Sequence, residues 1–192
     1  MNKRTRVLTC ALVILASACS HAPDADKDAR LNALKQQKQL TDARMSDKNL
    51  EVWVKVKGKN ALQKVEGRRY PRNIEYTYNT LKDEQGRYLY IAQLPFSETN
   101  DWFISYKSYF DSTGNLYAFQ RINNFLKSEC VRGALMENML KIFDRGAAID
   151  SVYTLSDTYK KPVSAEGCKF PYNFPYSIEP NLEAYKKRYM IP

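Results

Sequence analysis

The chain has 192 residues, 44% of them hydrophobic and 12% aromatic, with a formal net charge of +9, four cysteines and one histidine. That histidine, His21, lies outside the aromatic-rich region, so no Ser-His or Cys-His nucleophile and no histidine-based zinc or non-haem iron site is expected there. No stretch has the glycine spacing of a phosphate-cradling loop, and the cation excess favours anionic neighbours.

The first residues, MNKRTR, carry three cations and no acid, and an apolar run follows from Val7 to Ala16. A cationic start, a short apolar stretch and a small-residue boundary make up a secretory signal. The run is too short to span a bilayer, which needs about 20 apolar residues. Its boundary reads Ala16-Ser17-Ala18-Cys19. This stretch resembles the lipobox of bacterial lipoproteins, with Ala16 in the slot where that family favours leucine. The resemblance covers only the leader and implies cleavage after Ala18, so that residues 1–18 are a lipoprotein signal peptide. It further implies acylation of Cys19 on its sulfur and then on its amine, which ties the protein to a lipid bilayer. One acyl chain binds a membrane marginally, whereas two or three hold firmly. By the same analogy, Ser20 in place of an aspartate implies the outer rather than the inner membrane. Ordinary cleavage at the same bond would leave Cys19 a free thiol.

With Cys10 removed and Cys19 lipidated, Cys130 and Cys168 remain. In an exported domain two such cysteines read as one disulfide; a pair of buried free thiols or a redox pair are the rivals. An exported lipoprotein rarely meets nucleic acid, so the basic charge points instead to anionic glycan, lipid headgroups or an envelope protein.

Residues 19–49 hold the lipidated end and a polar stretch, DKDARLNALKQQKQLTDAR, of good helix formers without Gly or Pro. Its apolar positions, Leu31, Leu34, Leu40 and Met45, make only a thin stripe, and the segment reads as a helical tether. At Leu50 the composition changes: every Tyr, Phe and Trp lies beyond it, and 50–192 reads as one globular β-rich domain. VWVKV and NIEYTYNT alternate with period two, as strands do. LKDEQGRYLYI and YFDSTGNLYAF share a turn pattern of Asp, two polar residues and Gly. The Asp side chain bonds the backbone ahead of it, and the Gly supplies a left-handed residue. IFDRGAAIDSVYTL is a looser third copy, with Gly146 one position early.

The predicted strands are 73–82, 88–94, 102–110, 116–123, 138–143 and 149–155, with 52–57 at an edge. Several are apolar on both faces. The early helix, the loop CKFPYNFPYSIEP and the final NLEAYKKRYM are the available covers. The last piece predicts a short helix with Asn181 as its N-cap. The expected fold is α+β: an antiparallel meander of five to seven strands, an N-terminal helical tether and a short C-terminal helix.

Two stretches stand out as candidate binding surfaces. EGRRYPR gathers Arg68, Arg69 and Arg72 around Tyr70, and arginine forks bind phosphate and carboxylate. KFPYNFPY carries Phe170, Tyr172, Phe174 and Tyr176 on a proline-stiffened chain, suited to docking a ligand or to closing over a sheet face. No catalytic residue, cofactor or metal is expected. Glu129, Glu137, Asp144 and Asp150 would be the carboxylates of a cell-wall glycan hydrolase, the least favoured reading. The leading expectation is an envelope lipoprotein acting as a binding or structural module for protein, glycan or lipid. An inhibitor or immunity-type lipoprotein that blocks an envelope-directed enzyme is the alternative.

Overall fold

The computed structural model describes residues 23–46, 49–166, 168, 170 and 172–192; the leader, the lipobox with Cys19, and His21 lie outside the described residues. A long helix α1 (Pro23–Ala43) precedes the strands β1 (Leu50–Val56), β2 (Gln63–Lys64), β3 (Ile74–Lys82), β4 (Tyr88–Pro95) and β5 (Trp102–Phe110). These continue as β6 (Leu116–Phe125), β7 (Leu135–Asp144) and β8 (Ala147–Asp157), and the chain ends near helix α2 (Leu182–Tyr189). Among the described residues all eight strands form one antiparallel sheet in the order β2-β1-β3-β4-β5-β6-β7-β8. The fold is therefore mostly β within the α+β class. The eight strands exceed the expected five to seven because the two-residue β2 is too short to show periodicity. Pairing with β2 also removes β1 from the edge where it was expected. Among the described residues no helix is long and apolar enough to cross a membrane.

The meander is driven by its turns. At the β3–β4 connection Asp83 Oδ1 accepts from the N–H groups of Gln85 (3.0 Å) and Arg87 (2.8 Å). Gly86, at φ +79°, donates its N–H to the Asp83 carbonyl. The β5–β6 turn repeats this geometry, with Asp111 Oδ1 accepting from Thr113 and Asn115 (both 2.9 Å) and Gly114 at φ +84°. The third copy of this motif is not where the sequence pattern placed it. Arg145 (φ 49°) and Gly146 (φ 81°) form a tight two-residue turn between β7 and β8, the geometry that best suits strand twist. The Asp-centred turn instead recurs after β8, where Asp157 Oδ1 accepts from Tyr159 (2.8 Å) and Lys161 (2.9 Å). Lys160 holds the left-handed place there, at φ 62°. A search keyed to glycine passes over it.

Each sheet face carries a cover over its most apolar part, as strands apolar on both sides require. On one side Leu34 of α1 packs with Leu81, Tyr90, Ala92, Tyr109, Tyr117, Ala118 and Ile142. On the other, Tyr78, Ile91, Trp102, Ile104, Phe110, Phe119 and Phe125 pack under the C-terminal segment, including Tyr185 and Ile191. Each such fully buried large apolar side chain contributes about 1.5–3 kcal/mol. The alternation in β4 and β5 sorts these sets, because successive residues on a strand point to opposite faces. Helix α2 is capped as expected, Asn181 Oδ1 accepting from the Ala184 N–H at 2.9 Å. Helix α1 does not stand off as a free tether. It is tied to the sheet by Arg30–Asp144 (3.0 Å), Lys35–Asp150 (2.7 Å) and a Tyr109 hydroxyl donated to Asp42 Oδ1 (2.8 Å).

Candidate functional site

Residues 168, 170 and 172–181 lie as a strap over one sheet face. It starts at Cys168, which lies at disulfide distance from Cys130, Cα–Cα 5.1 Å. Closing a loop with a sequence separation of 38 would stabilise by roughly 4 kcal/mol in the chain-entropy account. Beyond that clamp the strap's rings turn inward. Phe170 meets Phe125 at 5.5 Å, and Tyr172 and Phe174 both meet Trp102, at 5.2 and 5.0 Å. Tyr176 stacks against Tyr106 at 4.8 Å and Phe119 at 5.6 Å. These four residues are half-buried packing partners of the sheet.

Beneath the strap lies a polar cluster of which the sequence reading named only Glu137. Period-two alternation in β6 puts Arg121 and Asn123 on the same face as Phe119 and Phe125. The β6–β7 register then sets Asn123 directly opposite Glu137. Glu137 is 1% exposed. Its Oε1 accepts from Arg121 Nη2 at 2.5 Å, and its Oε2 accepts from Asn123 Nδ2. Arg121 Nη1 donates to the Tyr176 hydroxyl at 3.0 Å. Burial, with the Glu137 carboxylate beside it, pushes the Tyr153 phenol up to about 12. Two buried atoms here have no protein partner, Arg121 Nε and Asn123 Oδ1. A cavity of about 470 Å³ adjoins them, lined by Arg121, Asn123, Glu137, Phe170, Tyr172 and Asn173.

The opposite face carries a second depression. Helix α1 covers the end of the sheet bearing Tyr109, Ala118 and Ile142, and leaves the far ends of β6, β7 and β8 bare. There the register aligns Ile122–Asn138–Thr154 and Asn124–Met136–Ser156 as cross-strand rows. They help line a cavity of about 750 Å³ that Lys160 and Pro162 flank. The Gln120 amide donates to Asn138 Oδ1 at 2.7 Å. Burial holds the neighbouring Lys107 ammonium below its usual pKa, against the pull of the Asp42 carboxylate.

Arg68, Arg69, Tyr70 and Arg72 are exposed in the loop between β2 and β3, at the sheet edge farthest from β8. The structure thus keeps the arginine loop and the aromatic strap apart; the strap's Tyr176 meets Arg121 instead. The four carboxylates also scatter. Glu129 is exposed after β6, Glu137 is under the strap, and Asp144 and Asp150 pair with α1.

No protein-family model, curated protein or solved structure matches this chain.

The two cavities offer different chemistry. The strap cavity sits on an internally neutralised ion pair with one spare donor and one spare acceptor. The open groove is mainly apolar, with Ile122, Met136, Pro162 and Val163 in its wall, and presents amide and hydroxyl groups in rows across it. Alternation in β6 and β7 is the sequence signal that could have found both, since it places polar residues on each face of otherwise apolar strands.

Proposed function

We propose that the chain is a lipid-anchored outer-membrane protein that binds envelope glycan in the groove left bare by α1. The lipobox resemblance at Ala16–Cys19 supports the anchor, and the +6 that remains of the +9 once Lys3, Arg4 and Arg6 leave with the leader favours polymers with anionic character. The observation that carries the binding reading is the lining of the 750 Å³ groove, where Gln120, Asn124, Asn138, Thr154 and Ser156 punctuate a predominantly apolar wall. Amide side chains both donate and accept, and hydroxyls do the same. That suits sugar hydroxyls, which also do both.

The reading is tested by co-sedimentation of the purified mature chain with cell-wall sacculi. Wild type is expected to pellet, and Asn138→Leu is expected to weaken pelleting roughly tenfold, the loss of one good hydrogen-bonding side chain. Failure of the wild type to pellet, or pelleting unchanged by Asn138→Leu, would overturn it. Recovery of a single stoichiometric protein from membranes, with no glycan, would favour the inhibitor-type alternative. Mass spectrometry of the processed N-terminus tests the anchor separately: Cys19 with three acyl chains is expected, and an unmodified thiol refutes it.

A further inference from the structure

Under the strap, on the face opposite the groove, the Arg121–Glu137–Asn123 cluster has a built-in vacancy of bonding. The orientation of the Asn123 amide is fixed chemically. Glu137 Oε2 only accepts, so the group facing it is Nδ2, and Oδ1 is necessarily the end turned away. Asn123 is 8% exposed and its Oδ1 is buried without a protein partner. Arg121 spends Nη2 on Glu137 and Nη1 on Tyr176, which leaves Nε, also buried and unpartnered. Two residues apart on one strand, these atoms sit on the same face. Both residues line a cavity of about 470 Å³, within the range of small-molecule sites, so a small side-chain shift brings one buried donor and one buried acceptor within reach of a ligand there.

Buried polar atoms are almost always paired. Leaving an N–H and a C=O unpaired together is costly unless something arrives to take both.

We infer that this cavity is a second ligand site, distinct from the open groove, for a neutral sugar unit that engages Arg121 Nε and Asn123 Oδ1 with two neighbouring hydroxyls. One hydroxyl accepts from Nε, the other donates to Oδ1, and the walls formed by Phe170 and Tyr172 meet the apolar side of the ring. Neutrality follows from the ion pair. Glu137 already satisfies the Arg121 charge at 2.5 Å, so an anion would have to displace a buried carboxylate and a cation would have to displace the guanidinium. The site does not depend on the groove reading, because the two cavities open on opposite faces of the sheet.

The test is a titration of the mature lipidated chain in detergent, 15N-labelled, with glucose and with N-acetylglucosamine, and separately with inorganic phosphate. The Arg121 Nε–H resonance is expected to shift saturably with at least one sugar and not with phosphate. Arg121→Lys keeps the charge beside Glu137 but has no Nε. It is expected to weaken sugar binding roughly tenfold while the chain still unfolds cooperatively. Asn173→Ala, at the exposed rim, gives a second variant that keeps the cluster intact, and it is expected to weaken binding less. An Arg121 Nε–H signal that neither sugar moves overturns the inference. So does a signal that only phosphate moves, or sugar affinity unchanged in Arg121→Lys. Occupancy of the groove instead would appear in the Gln120 and Asn138 side-chain amides, so failure of one site is separable from failure of the other.

Discussion

Replacing Glu137 by glutamine should be among the most damaging single substitutions in this protein, although it alters one atom. The carboxylate is 1% exposed and accepts from Arg121 and Asn123 at once. Glutamine keeps one acceptor but turns an N–H₂ toward a second donor, and it leaves the Arg121 charge uncompensated. Removing one member of a buried ion pair costs about 3–5 kcal/mol. Arg121 retains 19% side-chain exposure and its bond to Tyr176, so about 3 kcal/mol is expected. Against a total stability of roughly 5–15 kcal/mol, that is a large fraction. It corresponds to a fall in Tm of about 6–12 °C for a domain of this size. Urea unfolding followed by circular dichroism measures it. The double variant Arg121→Met/Glu137→Leu removes both charges and should lie closer to wild type than Glu137→Gln does. It should still fall short by about 1 kcal/mol or more, because Asn123 Nδ2 then lacks its acceptor. A Glu137→Gln protein within about 0.5 kcal/mol of wild type, or a double variant less stable than the single, would refute the reasoning.

Other consequences are open to simple measurement. Lys160→Gly should stabilise by about 0.5–1 kcal/mol in urea, because Lys160 holds the left-handed place (φ 62°) that costs a side chain about 1–2 kcal/mol; a loss of stability would show that the lysine side chain matters more than its backbone. Tyr185→Phe should be neutral or stabilising by up to about 1 kcal/mol in thermal melts. The Tyr185 hydroxyl is buried without a protein partner, and an unsatisfied group is costly to leave inside. Glu51 is held below its usual 4.5 by hydrogen bonds from Lys64 and Lys82, against the opposing effect of burial. A lowered carboxylate pKa means that the folded state binds fewer protons, so its stabilising effect is complete above about pH 4.5 and fades as pH falls through the folded value. The stability gap between wild type and Glu51→Gln should therefore be flat from pH 5 to 7 and shrink below pH 4. It should stay under about 1 kcal/mol, since solvent screens the partly exposed group.

Local chemistry was legible wherever one residue type performs one backbone task. Asp83 with Gly86, and Asp111 with Gly114, announced two hairpins because only glycine enters the left-handed region without strain. The same turn at Asp157 was illegible because Lys160 takes that place, and only the surrounding hydrogen bonds reveal it. Helix α1 was legible as a helix, with tether and sheet cover both open, and its contacts show cover. Its thin apolar stripe suffices because Tyr109 and Tyr117 meet it with hydroxyls, through Asp42 and Thr41, so the contact needs less apolar area than a usual helix–sheet interface. The aromatic strap was legible as stiff and ring-rich, with packing and docking both open; the ring contacts to Trp102, Tyr106, Phe119 and Phe125 show packing.

The sequence by itself determined the period-two strands, two of the three Asp-centred turns, and the capped final helix. Each depends on residues within a few positions of one another, where sterics and local hydrogen bonds decide. Only the tertiary structure decided which half of the sheet α1 leaves bare, and that Glu137 lies against Asn123 and Arg121. Those outcomes turn on pairing register across strands. A slip of one residue would send every one of these side chains to the opposite face, and no local pattern carries that information.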